Sequence, residues 1–383
     1  LKLFTGIENF EIMAIPFFIL AGNFLTHGGV ARRMINFASS MVGHWYGGLG
    51  LAGVLGCALF AAVSGSSPAT VVAIGSILLP AMTRAGFPKS FGAGVITTSG
   101  ALGILIPPSI VMVMYSVATN TSVGALFMAG VIPGLLLAAT LGGVTWYRAR
   151  KFNYPRLAKS TWAERFKAFK ASAWGLLLIV IVMGGIYTGM FTPTEAAAMS
   201  AVYAFFVAVF VYKDMSLKDV PKVLLNSANM SAMLLYIITN AVLFSFILTN
   251  ENIPQALADW MLGHGLGMIS FLLACNVILL LAGNFMEPSS IVLIFAPILF
   301  PVAMKLGIDP VHFGIVMVVN MEVGMCHPPV GLNLYVASGI AKMGITELTV
   351  AVWPWLLAML GFLGLVTYWP AMSIWLPRML GMM

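Results

Sequence analysis

Long apolar runs, interrupted by only a few polar residues, extend along the chain. Six of them approach or exceed the roughly 20 apolar residues that a membrane-crossing helix needs; they lie at 10–27, 124–147, 173–191, 194–212, 223–249 and 350–376. Their apolar positions are continuous rather than alternating, which predicts helices rather than strands. Between Lys89 and Arg148 there is no Asp, Glu, Lys or Arg. The pattern therefore predicts an all-α polytopic membrane protein.

Two pairs of shorter apolar segments surround polar tips. The first pair, 48–64 and 68–83, flanks S-G-S-S-P, and the second, 267–283 and 288–304, flanks G-N-F-M-E-P. Each segment is short for a crossing. We therefore expect two re-entrant helical hairpins, each entering and leaving the membrane on one side.

Each hairpin is followed by a crossing that contains a Pro-Pro pair. Pro107-Pro108 interrupts the crossing at 89–118, and Pro328-Pro329 interrupts the crossing at 309–341. Proline removes a backbone donor and kinks or breaks a helix. The two hairpins and the two broken helices recur at a spacing of 220 to 222 residues. The chain thus contains a duplicated unit.

Charge gives the orientation of the two copies. The chain is 60% hydrophobic and only 8% charged, against about 25% charged residues in a soluble domain. Eight of its basic residues lie between Arg148 and Lys170, and a second basic loop contains Lys213, Lys218 and Lys222. By the positive-inside rule both loops are cytoplasmic, so the positive net charge does not indicate nucleic-acid binding. Three crossings then separate the copies, which predicts the inverted-topology repeat of secondary transporters.

The polar tips and the helix breaks are the candidate ion sites. Unwound carbonyls and hydroxyl oxygens at membrane depth suit Na⁺, and they must line a cavity or be buried in protein. We expect two Na⁺ sites, one in each half. The candidate ligands are Ser64, Gly65, Ser66, Ser99, Gly100 and Gly103 in the first half, and Gly283, Asn284, Ser289, Asn320, Glu322, Gly324 and Met325 in the second.

The helix starts at the two tips are the candidate substrate contacts. Ser67 fits a helix N-cap and Pro68 fits the first helical position, and free N–H groups there suit a carboxylate. Glu287 and Glu322 are the only acids within the apolar core; helix capping for Glu287 and a buried hydrogen-bonded or protonated acid for Glu322 remain open alternatives. The candidate substrate residues are Ser67, Thr70, Pro107, Pro108, Glu287, Ser290, His327, Pro328 and Asn333.

At this point a family resemblance is plain. The stretches S-G-S-S-P-A-T-V, T-S-G-A-L-G-I-L-I-P-P-S, F-T-P-T-E-A-A-A and M-E-V-G-M-C-H-P-P-V-G-L-N-L resemble the large membrane subunit of tripartite ATP-independent periplasmic (TRAP) transporters. Within that family the motifs resemble the sialic-acid members most. The resemblance implies an elevator-type, Na⁺-driven importer of an organic acid, here sialic acid, in the bacterial inner membrane.

The resemblance also implies partners and a division of the chain. The partners are the lipid bilayer, a small four-helix membrane subunit, separate or fused upstream, and a periplasmic substrate-binding protein. The amphipathic stretches 30–44 and 253–263 resemble the family's arm helices. The implied units are a scaffold helix and arm at 1–47 with further residues expected upstream, a transport-domain half at 48–147, a basic loop at 148–172, scaffold helices and the second arm at 173–266, and the other transport-domain half at 267–383.

Two other classes of function share some of these features. A stand-alone Na⁺/carboxylate symporter would carry the same inverted repeat and need no binding protein. An intramembrane enzyme would need a convergent catalytic set, and the sequence has no H-E-x-x-H motif and no Walker loop. The three cysteines, Cys57, Cys275 and Cys326, are expected to be buried and structural.

Overall fold

The fold is built from helices whose ends coincide with the polar interruptions of the sequence. The computed structural model describes residues 10–27 and 29–383, and within these residues no strand is present. A 3₁₀ turn, Phe10–Met13, precedes the first helix. The helices of the first half are α1 (Ala14–His27), α2 (Val30–Val42), α3 (Gly48–Ser64), α4 (Ser67–Arg84), α5 (Lys89–Ser99), α6 (Ile110–Thr119) and α7 (Val123–Lys151).

Two helices join the halves, and the second half repeats the order of the first. The joining helices are α8 (Trp162–Tyr187) and α9 (Pro193–Phe206), which continues as a π-helical turn, Val207–Val211. The second half comprises α10 (Val220–Asn250), α11 (Ile253–Gly263), α12 (Met268–Gly283), α13 (Pro288–Lys305), α14 (Pro310–Cys326), α15 (Leu332–Ala341) and α16 (Ile345–Tyr368), and α17 (Ala371–Met379) ends the chain. In both halves a long helix, an arm helix, a hairpin, a broken helix and a long helix follow one another.

Seven helical segments of the described chain are long and apolar enough to cross a membrane. Six are the predicted crossings, and the seventh is α13, the second helix of the second hairpin. The remaining hairpin arms and the pieces of the broken helices are shorter or less apolar. The prediction of an all-α polytopic membrane protein is confirmed.

Two predicted segments differ from the observed helices. We expected a crossing from residue 173, but α8 begins at Trp162 because Thr161 and Glu164 form a capping box, each side chain bonding the other's backbone N–H. The run predicted at 350–376 divides into α16 and α17. The division falls at Trp369-Pro370, since a residue before proline is disfavoured in the helical region.

The two hairpins pack in a crossed arrangement. Helix α4 of the first hairpin packs against α15, the second piece of the other half's broken helix, and α13 of the second hairpin packs against α6 in the same way. Each hairpin also contacts the broken helix of its own half. Each hairpin is therefore held by the broken helices of both halves.

The long helices α1, α9 and α10 form a second group. Helix α1 packs against α9 and α10, and it contacts α3 of the first hairpin, while α10 contacts α13 of the second. The arm helix α2 packs between α3 and α8, and the arm helix α11 packs on α13. The second hairpin therefore lies against α10, and the first lies against α1.

Candidate functional site

The first hairpin tip is a short turn whose hydroxyls bond mainly within the tip. Gly65 ends α3 in the left-handed conformation, at φ 61°, and the next residue, Ser66, is extended. The Ser64 Oγ lies 2.9 Å from the Thr70 Oγ1, which donates to the Ser66 carbonyl at 2.8 Å. The prediction that Ser67 is the N-cap of α4 was wrong by one residue, because Gly65 reverses the chain early and leaves Ser66 at the cap position.

This tip lies directly against the first broken helix. Between α5 and α6 the chain forms a 3₁₀ segment, Gly100–Ile104. A Cβ at Gly103 would lie 2.5 Å from the Ser66 carbonyl oxygen, and one at Gly65 would lie 3.0 Å from the Pro108 carbonyl oxygen. Only glycine allows these approaches. The structure thus brings Ser66, Gly103 and Pro108 together.

The second tip contacts its own broken helix through two glycines and an amide. A Cβ at Gly283 would lie 2.9 Å from the Cα of Gly324. The side-chain amide of Asn284 lies 3.0 Å from the Nδ1 of His327. With its nitrogen turned toward that ring, the amide also donates to the backbone oxygens of His327 and Pro328. His327 and Pro328 are therefore tip contacts.

Glu287 caps the helix that follows the second tip. Its carboxylate accepts from the backbone N–H of Ser290 at 3.2 Å and from the Ser289 hydroxyl at 2.8 Å. The first tip has no such cap, because Ser66 makes no side-chain capping bond to α4. The two helix starts therefore differ: a carboxylate of the protein occupies one, and none caps the other.

Asn333 joins the two halves. Its amide nitrogen donates to the Ser67 hydroxyl at 2.7 Å and to the Thr97 carbonyl at 3.3 Å, and the Cys326 thiol donates to the same carbonyl at 3.4 Å. Asn333 and Ser67 are both fully buried. Cys57 and Cys275 are also buried and free, as expected for structural cysteines.

Both broken helices contain buried oxygens without a hydrogen-bond partner among the described residues. The Ser99 Oγ is one and the Asn320 Oδ1 is another, and both residues are fully buried. They are equivalent positions of the repeat, since they stand 220 to 222 residues apart. Both carboxylate oxygens of Glu322 also lack a partner. A buried polar atom without a partner is costly, so these atoms are the places where a cation would be stabilising.

Asn276, which was not among the predicted site residues, supports this region. Its side-chain oxygen accepts from the Asn320 amide at 2.8 Å, and its nitrogen donates to the Thr367 hydroxyl at 3.0 Å. A single buried polar residue within the apolar run of α12 was its only signal. No group of three or more His, Cys, Asp and Glu side chains suited to a metal ion occurs in the described ranges. Any ion here would be held by hydroxyl, amide, carbonyl and carboxylate oxygens.

A cavity of about 340 Å³ lies between the two tips and α10. Six predicted site residues line it, namely Gly65, Ser66, Ser67, Glu287, Ser289 and Met325. Its other lining residues are Pro68, Ala69, Val72, Ile104, Ile110, Val111, Met230, Met233, Leu234, Pro288 and Leu332. Met230, Met233 and Leu234 belong to α10 and were not predicted, since they look like any other apolar positions of that helix.

Several predicted substrate residues do not line this cavity. They are Thr70, Pro107, Pro108, Ser290, His327, Pro328 and Asn333. Pro107 lines a separate apolar cavity between α7, α8 and α17. The others lie in or behind the tips and the helix breaks. Among the described lining residues the only charged side chain is that of Glu287.

Comparison with known proteins identifies the family. Residues 1–372 match the family described as "Tripartite ATP-independent periplasmic transporter, DctM component". The chain belongs to this family. It is therefore a large permease subunit of a TRAP transporter and not an enzyme, it is a multi-pass protein of the bacterial inner membrane, and it works with a periplasmic substrate-binding protein and a small membrane subunit.

Relatives within the DctM family correct one expectation. The C4-dicarboxylate TRAP transporter large permease protein DctM of Rhodobacter capsulatus is 75% identical over 100% of this chain and 90% of that protein. The sialic acid TRAP transporter large permease protein SiaM of Vibrio cholerae is only 38% identical over 99% of this chain and 88% of that protein. The expected closeness to sialic-acid members is therefore not supported by these identities.

A solved structure with low sequence identity to this chain has a similar fold. The Alcanivorax borkumensis YdaH transporter, described as having an unusual topology, aligns with a TM-score of 0.65 at 16% identity. The alignment covers 96% of this chain and 87% of that chain. The likeness supports the polytopic helical fold.

Proposed function

We propose that this DctM-family permease imports a C4-dicarboxylate, driven by Na⁺, in an elevator movement of its hairpin-bearing domain. The 75% identity to a permease named for C4-dicarboxylates supports the substrate class over sialic acid. The observation that carries the proposal is the cavity between the two hairpin tips and α10. Its volume of about 340 Å³ suits a small organic acid.

The uncapped start of α4 is the proposed carboxylate site. The backbone N–H groups of the first turn and the positive end of the helix dipole favour an anion there. Ser66, Ser67 and Ala69 at this helix start line the cavity, and Ser66 makes no capping bond. At the other tip the Glu287 carboxylate already accepts the corresponding N–H group. The two tips would therefore play unequal parts toward a substrate.

Charge balance supports Na⁺ coupling. None of the described residues that line the cavity is Lys or Arg, so a dianion there has no basic side chain to neutralise it. The buried oxygens of Ser99 and Asn320 have no hydrogen-bond partner among the described residues, and hard oxygen donors suit Na⁺. Ser64, Ser66, Ser99 and Gly103 would hold one ion, and Asn284, Ser289, Asn320 and Gly324 the other. Glu322 brings a further buried carboxylate to the second half.

The packing supports an elevator. One wall of the cavity belongs to both hairpins and the other belongs to α10. The hairpins and broken helices are joined across the halves by the Ser67–Asn333 and Cys326–Thr97 hydrogen bonds. These hydrogen bonds hold the hairpins and broken helices together as one unit, and an apolar cavity separates that unit from α10. Such an arrangement suits alternating access by rigid-body movement. Helices α1, α8, α9 and α10 would form the scaffold.

The test is uptake by proteoliposomes that contain the permease and its small membrane subunit. With the cognate binding protein and an inward Na⁺ gradient, we expect uptake of labelled succinate and much weaker uptake of N-acetylneuraminate. Succinate uptake that persists with a proton gradient alone would contradict Na⁺ coupling. Undiminished uptake without the binding protein would instead favour a stand-alone symporter.

A further inference from the structure

A second polar cavity lies away from the hairpin tips. It has a volume of about 540 Å³ and lies where the start of α5, the end of α7 and the first turns of α16 meet. Its lining includes Ser90, Arg148, Tyr154, Glu347, Trp353 and Trp355. The neighbouring basic residues, from Arg148 through the segment that follows α7, place this rim on the cytoplasmic side by the positive-inside rule. The transport cycle proposed above makes no use of it.

Arg148 is held in this cavity by aromatic rings rather than by acids. Its guanidinium carbon lies 5.4 Å from the ring centre of Trp355 and 5.5 Å from that of Phe152. Its Nε is buried and has no hydrogen-bond partner among the described residues. None of the described carboxylates lies within the 4 Å of an ion pair with Arg148. The guanidinium therefore has donors available for an anion, and a rigid surround that fixes its position.

Glu347 supplies the opposite charge on the same wall. It lies in the first turn of α16 and forms no ion pair with Arg148. The exposed indole of Trp353, at 41% relative exposure, also lines the cavity. A carboxylate next to an aromatic face is suited to an ammonium group. The cavity thus contains a cationic subsite at Arg148 and a second subsite formed by the Glu347 carboxylate and the Trp353 indole.

We propose that this cavity binds the headgroup of phosphatidylethanolamine from the inner leaflet. The phosphate would accept from Arg148 and from the Ser90 hydroxyl, and the ammonium would lie between Glu347 and Trp353. A headgroup with a phosphate and no ammonium would leave the negative charge of Glu347 without a counter-charge. Charge complementarity therefore favours the zwitterionic headgroup of phosphatidylethanolamine. The exposed ring of Phe152, which lies against Arg148, is an aromatic side chain typical of the membrane interface and suits the glycerol and acyl portions of a lipid.

The site joins parts that the proposed elevator would have to coordinate. Arg148 belongs to the first half and Glu347 to the second, and Tyr154 belongs to the segment between α7 and α8. That segment is tied to the end of the arm helix α2, because the Leu157 N–H donates to the Gly43 carbonyl at 2.9 Å. A lipid in this cavity would therefore hold both halves together and rest against the connection to the arm.

The test measures which lipid the permease retains. The complex of permease and small subunit is reconstituted in nanodiscs with equal phosphatidylethanolamine and phosphatidylglycerol, extracted with mild detergent, and examined by native mass spectrometry. Wild type is expected to retain phosphatidylethanolamine over phosphatidylglycerol by about fivefold or more. Glu347→Gln should remove that preference while still retaining lipid. Arg148→Gln should lose both lipids to a similar degree.

Arg150→Gln is the matched control. Arg150 lies on the same helix and its guanidinium stacks on Trp146, but it does not line the cavity, so retention should match wild type. If Arg148→Gln does not fold, the exposed Glu347 variant alone decides the proposal. Equal retention of the two lipids by wild type, or an unchanged preference in Glu347→Gln, would overturn it. Displacement of the lipid by millimolar inorganic phosphate would also overturn it and indicate a free-anion site.

Discussion

The amide nitrogen of Asn333 lies 2.7 Å from the hydroxyl oxygen of Ser67, although the two residues stand 266 positions apart in the chain. This contact joins the first hairpin tip to the second piece of the opposite broken helix. Both side chains are fully buried, so neither can exchange its partner for water. This hydrogen bond therefore helps to hold the two inverted halves together as one body.

Replacing Asn333 with Ala should loosen this joint. In this variant the buried Ser67 hydroxyl loses its hydrogen-bond partner, which lowers the free energy of unfolding by about 1–3 kcal/mol. We expect a lower melting temperature in detergent and slower uptake. Asn240→Ala is the control, because the Asn240 amide is exposed and donates only to a carbonyl of its own helix. Equal melting temperatures for the Asn333 variant and wild type would show that the bond does not stabilise the fold.

Ser99→Ala should weaken Na⁺ dependence without disturbing the fold. The Ser99 Oγ makes no hydrogen bond within the described protein, so its removal costs nothing unless an ion uses it. We expect the Na⁺ concentration for half-maximal uptake to rise about tenfold, which corresponds to ~1.4 kcal/mol. The neighbouring Thr98→Val is the control, since its hydroxyl donates to carbonyls of its own helix. A wild-type Na⁺ response in Ser99→Ala would remove this residue from the ion site.

Gly283→Ala should separate the second tip from its broken helix. The added Cβ would lie 2.9 Å from the Cα of Gly324. Because the neighbouring atoms belong to the backbone, no flexible side chain can move aside to relieve the contact. Overpacking of this kind costs about 1–3 kcal/mol, and here it also moves candidate ion ligands. We expect loss of most uptake, measured in proteoliposomes at saturating Na⁺. Gly339→Ala is the matched control, because no atom lies within 4 Å of its built Cβ; full activity in both variants would contradict the predicted geometry.

Glu287→Gln should change substrate affinity more than stability. Glutamine keeps an oxygen that can accept from the Ser290 N–H, and it removes the one negative charge among the described cavity-lining residues. Less repulsion of a dianion should lower the KM for dicarboxylate by about tenfold, or ~1.4 kcal/mol. The measurement is uptake against substrate concentration, with Glu251→Gln at the end of α10 as control. A loss of uptake that extra Na⁺ restores would instead assign the carboxylate to cation binding.

A disulfide between the first hairpin and α10 should stop the proposed elevator. Val72 and Met233 line the same cavity from opposite walls, and both are partly exposed. The pair Val72→Cys and Met233→Cys, made with the three native cysteines replaced, should lose uptake on oxidation and regain it on reduction. Each single cysteine variant serves as the control. Unchanged uptake with the crosslink fully formed would replace the elevator with a local gating movement.

The helices, the repeat and the two polar tips follow from the local pattern of the chain. A continuous, charge-poor apolar run is helical in a membrane, because a helix satisfies its backbone N–H and C=O groups within the segment. For that reason the predicted segments at 10–27, 48–64 and 267–283 differ from α1, α3 and α12 by at most a few residues. Thr192 and Glu195 form a capping box at the start of α9, and all its contacts lie within four residues, so the local sequence determines it.

How these parts meet became visible in the assembled fold. It showed that each hairpin packs on the broken helices of both halves, that Asn333 bonds Ser67, that Glu287 caps its own helix, and that α10 supplies Met230 and Met233 to the cavity. These contacts join residues that are distant in the chain or that look like any other apolar position. Apolar helix faces are nearly interchangeable as packing partners in a chain so rich in them, whereas a polar group in the same environment must find a specific partner. The pairing of these groups therefore depends on the assembled fold, and not on the local pattern.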